Sequence, residues 1–368
     1  MNLFGLLDEF RQRPFRLDPV LTSMLLALMV AGLAVLYSAS DGDAGLVWRQ
    51  IVRLTVGLGA MYVASLVPVG SWRRWAPWIY AIGLALLVLV LFVGEGRGSR
   101  RWLDLGVVRF QPSEIMKIGV PLMLATWLHR KALPPGWIDV LACIALMALP
   151  VALIAIEPDL GTAVLVGSGG AIVLFLSGLR WRWILLGAVS VLSALPLLWG
   201  AMHDYQRNRV LTFLDPERDP LGQGWNIIQS KIAVGTGGLT GRGWLDSTQS
   251  RLEFLPEPHT DFILSVFAEE FGFVGVLVLI ALYAAILVRA LQLASQARDP
   301  FGRMLGGALA FVFFVYLFVN AGMITGMMPV VGVPLPLVSY GGTSATTILA
   351  GFGIIMGINS RRKMLRDR

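Results

Sequence analysis

Carboxylate side chains stand at the start of three long apolar stretches of this sequence. Glu114 follows the letters QPS, Asp159 follows EP and Asp261 follows HT. A carboxylate in such a place can act as a general base. It can equally belong to an ordinary helix start, because small polar and acidic residues cap free amides and complement the helix dipole. Taken singly, each of the three motifs is typical of capping.

Lys117 does not fit a capping role, because a cation near a helix N-terminus opposes the helix dipole. Glu114 lies three residues earlier and therefore on the same face of the helix. A buried ion pair is costly and specifies geometry, so this pair predicts a polar cavity between helices. His259, two residues before Asp261, has no His or Cys neighbour at the spacing of metal ligands, which argues against a zinc site.

The elements that must position these side chains are apolar. Of 368 residues, 56% are hydrophobic and 14% are charged, against about 25% charged in an ordinary soluble chain. A helix needs about 20 apolar residues to cross a membrane. The chain is therefore not a soluble enzyme, and we predict one all-α polytopic membrane domain over 1–368 with ten transmembrane helices at 20–39, 47–67, 76–93, 112–128, 138–156, 159–178, 183–200, 261–290, 304–328 and 339–359.

Orientation follows from Lys and Arg in the short loops, which favour the cytoplasmic side. These residues collect on the side that holds both termini, so both termini are predicted to be cytoplasmic and the three acidic helix starts to face outward. The outer segment 94–111 breaks this rule with four arginines, Arg101 among them. Either the topology differs there, or these arginines serve an anion outside.

A loop of about 60 residues between the seventh and eighth spans, at 201–260, is predicted to be extracytoplasmic. It holds a basic run with Arg207 and Arg209 and a glycine-rich run at 235–243. The glycines lack dinucleotide-binding spacing and predict turns that let backbone approach a partner or a phosphate. A flexible linker is the open alternative. Nucleic acid is not an expected partner on this face.

Four motifs resemble those of the SEDS family (shape, elongation, division, sporulation). In chain order they are QPSE with Lys117, EPDLGT at 157–162, LEFLPEPHTDF at 252–262 followed by AEE, and PLPLVSYGG at 334–342. The segment PVVGVPLP, at 329–336, is similar to the elongation branch, RodA, more than to the division branch, FtsW. Pro258 departs from the elongation branch, which often has a basic residue there.

The resemblance implies a peptidoglycan glycosyltransferase in the bacterial plasma (inner) membrane that joins lipid II, the undecaprenyl-diphosphate disaccharide pentapeptide, into glycan strands during elongation. It also implies a class B penicillin-binding protein, a transpeptidase, as partner, together with other proteins of the elongation complex. The alternatives left open are a lipid II flippase and a noncatalytic scaffold. The flippase is disfavoured because the candidate functional polar residues lie in the outer half of the membrane, and no matching polar group forms a gate on the inner side.

On this hypothesis Asp261 is the general base that takes the proton from the 4-hydroxyl of the acceptor sugar. Diphosphate is a weakly basic leaving group, so one base with charge neutralisation suffices. A divalent cation, Mg or Mn, is an optional addition with no assigned ligands. The expected substrate-binding residues are Lys117, Glu114, Arg207, Arg209, Asp159, Arg101 and His259.

Overall fold

The computed structural model describes residues 17–95, 101–104, 106, 109–201, 204–215, 223–247 and 258–366. Within these ranges the chain is mostly helical with almost no sheet, which confirms the all-α prediction. A short antiparallel hairpin between the third and fourth helices, β1 (Leu103–Asp104) and β2 (Arg109–Phe110), is the exception. The helices are α1 (Pro19–Ala39), α2 (Ala44–Leu66), α3 (Val69–Val93), α4 (Pro112–His129), α5 (Trp137–Ile156), α6 (Leu160–Leu176), α7 (Trp181–Ala201), α8 (Asp204–Leu214), α9 (Gln223–Thr236), α10 (Ile263–Ser295), α11 (Pro300–Ile324) and α12 (Thr343–Arg366).

Each predicted apolar stretch contains a helix, and α8 and α9 are additional helices in the long loop. In the described part of the chain, five helices are long and apolar enough to cross a membrane: α1, α3, α5, α10 and α11. Shorter apolar helices lie in α6, α7 and α12. The chain is a multi-pass membrane protein, and the count of ten spans stays a prediction.

Aspartates define several helix starts. Asp159 is the N-cap of α6, and its carboxylate accepts a 3.1 Å hydrogen bond from the amide of Thr162. Asp18, Asp43 and Asp299 cap α1, α2 and α11 in the same way. The capping interpretation is therefore correct for Asp159. The eighth span differs from the prediction, because its helix begins at Ile263 with Phe262 at the N-cap.

Helix α11 is the centre of the bundle. In its most apolar window 72% of the residues are buried, against 22–39% in the other four long apolar helices. It packs against α4, α6, α10 and α12, whereas α2 packs along α12 and α3 packs on α4 and α5. The α2–α12 contact is close because Gly353 lies against the backbone of Met61 and Gly357 against that of Ser65.

Helix α10 is broken at Gly272, whose backbone is not helical (φ 64°, ψ −168°). The glycine-rich run after α9 fills this break. Gly241 has a φ of +80° and lies so close to the carbonyl of Glu270 that a Cβ would collide with it. The run thus brings its backbone against α10 through hydrogen bonds of 2.9–3.1 Å from Phe273 N to Gly238 O, Val274 N to Leu239 O, Arg242 N to Glu269 O and Gly243 N to Glu270 O.

Candidate active site in a polar cavity

A cavity of about 220 Å³, partly open to its surroundings, lies where the starts of α4 and α6 meet the turn before α10 and the segment before α12. The three carboxylates singled out by the sequence therefore line one space. The lining residues are Arg101, Trp102, Gln111, Glu114, Lys117, Asp159, Thr162, Leu165, Thr260, Asp261, Gly332, Val333, Pro334, Tyr340, Gly341, Gly342, Thr343 and Ser344.

The ion pair predicted on α4 is present and buried. Lys117 Nζ donates a 2.6 Å hydrogen bond to Glu114 Oε1, and the two residues are 5% and 3% exposed. The ammonium also lies 5.0 Å from the centroid of the Tyr316 ring. Among the described residues, Glu114 Oε2 has no hydrogen-bond partner. The pair thus fixes the cation in the cavity and keeps one carboxylate oxygen ready to accept a hydrogen bond.

Asp159 is also held by two side chains outside its own helix. Gln111 Nε2 donates a 2.8 Å hydrogen bond to Asp159 Oδ2, and Arg101 Nη1 lies 3.9 Å from Asp159 Oδ1. Arg101 also donates to the backbone carbonyls of Glu157, at 3.2 Å, and of Pro158. Neutral carbonyls orient the guanidinium without cancelling its charge. Arg101 therefore presents a fixed cation at the cavity wall.

The turn that carries Asp261 is held by α11. Asn320 Nδ2 donates to the carbonyl oxygens of Asp261, at 2.9 Å, and of Val333, at 2.7 Å. A Cβ on Gly332 would lie 3.4 Å from Asp261 Oδ2, so the carboxylate lies over this glycine. The amide of Tyr340 donates a 2.9 Å hydrogen bond to the carbonyl of His259. One lining segment thus supports the Asp261 turn from two sides.

The segment before α12 is itself tied to two helices. Tyr283 on α10 donates a 2.6 Å hydrogen bond to the carbonyl of Pro336. Gln50 on α2 donates to the carbonyl of Ser339 at 3.2 Å and accepts from the amide of Gly341 at 3.3 Å. Buried polar groups that are paired in this way fix backbone geometry. This wall of the cavity is therefore built on the rigid bundle.

Two of the predicted substrate-binding residues, Arg207 and His259, are not among the described residues that line this cavity. Arg207 donates to the carbonyls of Trp199, at 3.0 Å, and Gly200, at 2.8 Å, near the end of α7. The ring of His259 packs edge-on against Tyr340, with the ring centroids 6.1 Å apart. Arg209 lies in α8, and its side chain is outside the described part of the chain, as is 252–257 of the third motif. A role for these three residues in binding stays a prediction.

Sequence reasoning missed two polar residues that the structure brings to the site. Asn320 and Arg53 both lie inside apolar stretches that were counted as spans. The rule that polar groups kept at membrane depth are functional suspects would have found both. Among the described residues, no group of three His, Cys, Asp or Glu side chains is placed to hold a metal ion.

Comparison with known proteins decides the family. Residues 18–364 match the family model of FtsW, RodA and SpoVE, described as cell cycle protein. The chain belongs to this family. Among its relatives in the FtsW/RodA/SpoVE family is peptidoglycan glycosyltransferase MrdB of Escherichia coli K12, 52% identical over 351 residues and 95% of each chain. A probable peptidoglycan glycosyltransferase FtsW of Trichlorobacter lovleyi is 38% identical over 97% of each chain.

Solved structures of family members share the fold. Rod shape determining protein RodA of Thermus thermophilus is 33% identical with a TM-score of 0.71, and the match covers 94% of this chain and 97% of that one. A chain from a study of structural coordination of polymerization and crosslinking by a peptidoglycan synthase complex is 36% identical with a TM-score of 0.82, covering 94% and 98%. The SEDS resemblance and its RodA branch are confirmed.

Proposed function

We propose that this protein is a peptidoglycan glycosyltransferase that joins lipid II units into glycan strands, with Asp261 as its general base. The activity is that of the relatives that are 52% identical over 95% of the chain. For the site, the supporting observation is that Asp261, Lys117, Glu114, Asp159 and Arg101 line one cavity among helix starts.

The proposed reaction forms one bond and breaks one bond. The 4-hydroxyl oxygen of the acceptor sugar attacks the anomeric carbon of the donor, and the bond from that carbon to the diphosphate breaks. The hydroxyl proton passes to the Asp261 carboxylate, which must come within hydrogen-bond distance of it. Because Asn320 and Gly332 fix the turn around Asp261, the base is positioned before the substrate binds.

The two cations of the cavity stabilise the leaving diphosphate. Arg101 and Lys117 are both held by fixed partners, so little reorganisation is needed when negative charge develops. Glu114 positions Lys117, and Gln111 positions the Asp159 carboxylate. Carboxylate oxygens are also the ligands that Mg²⁺ prefers, so Glu114 or Asp159 would hold a divalent cation against the diphosphate, where it would neutralise charge.

The proposed setting is the bacterial inner membrane with both termini in the cytoplasm. A class B penicillin-binding protein is the proposed partner, because a structural neighbour comes from a complex that coordinates polymerization and crosslinking. Other proteins of the elongation complex are proposed as further partners. The long loop with α8 and α9 would then face outward, on the side where glycan strands are made.

Strand formation from lipid II by purified protein tests the proposal. Wild type, Asp261→Asn and Asp41→Asn are compared on gels, with and without a crosslinking-inactive partner. Asp41 lies in an exposed turn with a φ of 50°, which Asn tolerates. We expect ladders from wild type and Asp41→Asn and none from a monodisperse Asp261→Asn. Activity of Asp261→Asn contradicts the assigned base, and folded wild type without strands favours the flippase or scaffold alternatives.

A further inference from the structure

Another cationic side chain, that of Arg53, reaches the cavity wall from α2. Its guanidinium carbon lies 4.3 Å from the centroid of the Tyr340 ring. A Cβ on Gly342 would lie 3.2 Å from Arg53 Nε. Because Tyr340 and Gly342 both line the cavity, Arg53 touches the wall at two places. The backbone of this same part of the wall is hydrogen-bonded, through the Tyr340 amide, to the carbonyl of His259, which lies two residues before the proposed base.

The position of Arg53 within its helix makes the charge costly. Arg53 lies near the middle of α2 (Ala44–Leu66), about 13 Å along the axis from the first residue at 1.5 Å per residue. On the predicted topology α2 is a membrane span, and a charge this far from both of its ends is costly to keep there. Trp48, Val56 and Val63 are exposed on the same helix, which gives it an apolar surface suited to lipid.

Arg53 has no anionic partner in the described part of the chain. The described residues show no ion pair and no side-chain hydrogen bond for it; its contact is the Tyr340 ring. The neighbouring cation, Arg49, is exposed and lies 3.9 Å from the Asp43 carboxylate. A guanidinium stacked on a ring keeps its N–H edge available for a planar or tetrahedral oxyanion. Arg53 thus has the geometry of an unused phosphate-binding group.

We propose that Arg53 binds a phosphate oxygen of a lipid-linked substrate, in addition to Lys117 and Arg101. The inference rests on the proposed function, because polymerisation joins two lipid-linked diphosphates and therefore brings two anionic groups to one cavity. Arg101 is bound to the turn before α6, whereas Arg53 is stacked on the segment before α12. Arg53 does not itself line the cavity but lies behind the lining residues Tyr340 and Gly342, so a second anionic group at that wall would meet a cation other than Arg101.

Steady-state kinetics with lipid II tests this assignment. Arg53→Met removes the charge, Arg53→Lys keeps it, and Arg49→Met is the matched control one turn away. Loss of one charge-assisted hydrogen bond corresponds to roughly 10- to 100-fold weaker binding. We expect the KM for lipid II to rise by that factor in Arg53→Met with kcat nearly unchanged, to recover largely in Arg53→Lys, and to stay near the wild-type value in Arg49→Met.

The same kinetics distinguish charge from packing. If Arg53 only supports the Tyr340 ring, the KM for lipid II does not follow the charge at position 53, so Arg53→Lys and Arg53→Met give similar KM values. Equal KM values for Arg53→Lys and Arg53→Met therefore overturn the inference, as does an unchanged KM in Arg53→Met. Inhibition by added undecaprenyl diphosphate provides a second readout. We expect it to weaken in Arg53→Met and to remain in Arg49→Met.

A phospholipid headgroup presents the same phosphate chemistry, so the assay has two arms. One uses neutral detergent free of phospholipid, and the other uses vesicles that contain phosphatidylglycerol. A KM effect present in both arms supports a substrate phosphate, whereas an effect confined to the vesicles overturns it. Failure here is separable from failure of the proposed function, because an active Asp261→Asn refutes the base without changing the Arg53 comparison.

Discussion

Asn320 on α11 donates a 2.9 Å hydrogen bond from Nδ2 to the backbone carbonyl of Asp261. The same amide group donates to Val333 on the segment before α12 at 2.7 Å. Asn320 is fully buried, so one side chain of the central helix joins two parts of the cavity wall. The position of the proposed base is therefore set by a residue that does not line the cavity.

Replacing Asn320 with Leu keeps the number and branching of side-chain heavy atoms and removes both hydrogen bonds. Each buried acceptor left without a donor costs about 1–3 kcal/mol, so we expect a lower thermal midpoint. A misplaced base slows the chemistry, and we expect kcat to fall roughly 10- to 100-fold with little change in the KM for lipid II. Strand assays and thermal scans of the purified protein measure both effects.

The control for Asn320→Leu is Thr126→Val on α4. The Thr126 hydroxyl donates to the carbonyl of Leu122 in its own helix at 2.8 Å, and neither residue lines the cavity, so its removal deletes a buried polar group of the bundle away from the site. We expect kcat of this variant to stay near that of wild type. If kcat of Asn320→Leu also stays there, Asn320 does not position Asp261.

The buried pair of Lys117 and Glu114 should behave as a unit. Removing one partner leaves an uncompensated buried charge, which typically costs about 3–5 kcal/mol. We expect Lys117→Met and Glu114→Gln to lower the thermal midpoint each, and the double variant to regain much of the loss. Activity should stay absent in the double variant, because the fixed cation is still missing.

A double-mutant cycle on thermal stability and strand formation measures this coupling. Lys131→Met with Asp139→Asn is the matched control, because that ion pair of 3.1 Å is partly exposed, with the two side chains 43% and 18% accessible. Exposed pairs typically contribute about 0–1 kcal/mol. Additive losses at Lys117 and Glu114, or strand formation by their double variant, would contradict the proposed role of the pair.

Spacing alone was enough to predict some of this site. Glu114 and Lys117 are three residues apart on a helix, so their contact is local and independent of the rest of the fold. That Asp159 and Asp261 lie near each other was predicted only because both helix starts were placed on the same face of the membrane. The direct support, from Asn320 and Gly332, depends on how α11 and the segment before α12 pack together, which no local pattern encodes.

The break in α10 shows the same limit. An apolar run predicts a continuous helix, and the spacing of apolar residues around Gly272 does not indicate that the helix is interrupted there. The break is stable because the amides and carbonyls beside it bond to the run of 238–243, which is separated from it by about 30 residues. The glycine-rich run was predicted to let backbone approach a partner or a phosphate. In the structure it approaches α10 of the same chain, which is evident only in the fold.

Glu157 is predicted to make the stability of the folded chain depend on pH. It lies in the turn between α5 and α6, is 1% exposed, and neither carboxylate oxygen has a hydrogen-bond partner among the described residues. Burial raises the pKa of this carboxyl from its ordinary value of 4.5 to about 8; the charge of Asp159 adds to the rise and that of Arg101 opposes it. The carboxyl is therefore expected to be mostly protonated at pH 7, and an amide side chain is its matched uncharged substitute.

The raised pKa has a defined sign for stability. Between pH 4.5 and about 8 the unfolded chain has released this proton and the folded chain still holds it, so stability falls as pH rises through this window. We expect Glu157→Gln to lose this part of the decline and to exceed wild type in thermal midpoint at pH 8 to 9. Strand formation at neutral pH should be retained, because the amide replaces a neutral carboxyl.

Thermal midpoints measured from pH 5 to pH 9 check this expectation, with Glu95→Gln as the control. Glu95 is exposed, so its substitution should leave the pH profile of wild type unchanged. If wild type and Glu157→Gln give parallel profiles, the Glu157 carboxyl is ionised in the folded protein. Its charge must then be met at the cavity wall, and Arg101, whose Nε is bonded to the Glu157 carbonyl at 3.2 Å, is the cation placed to meet it.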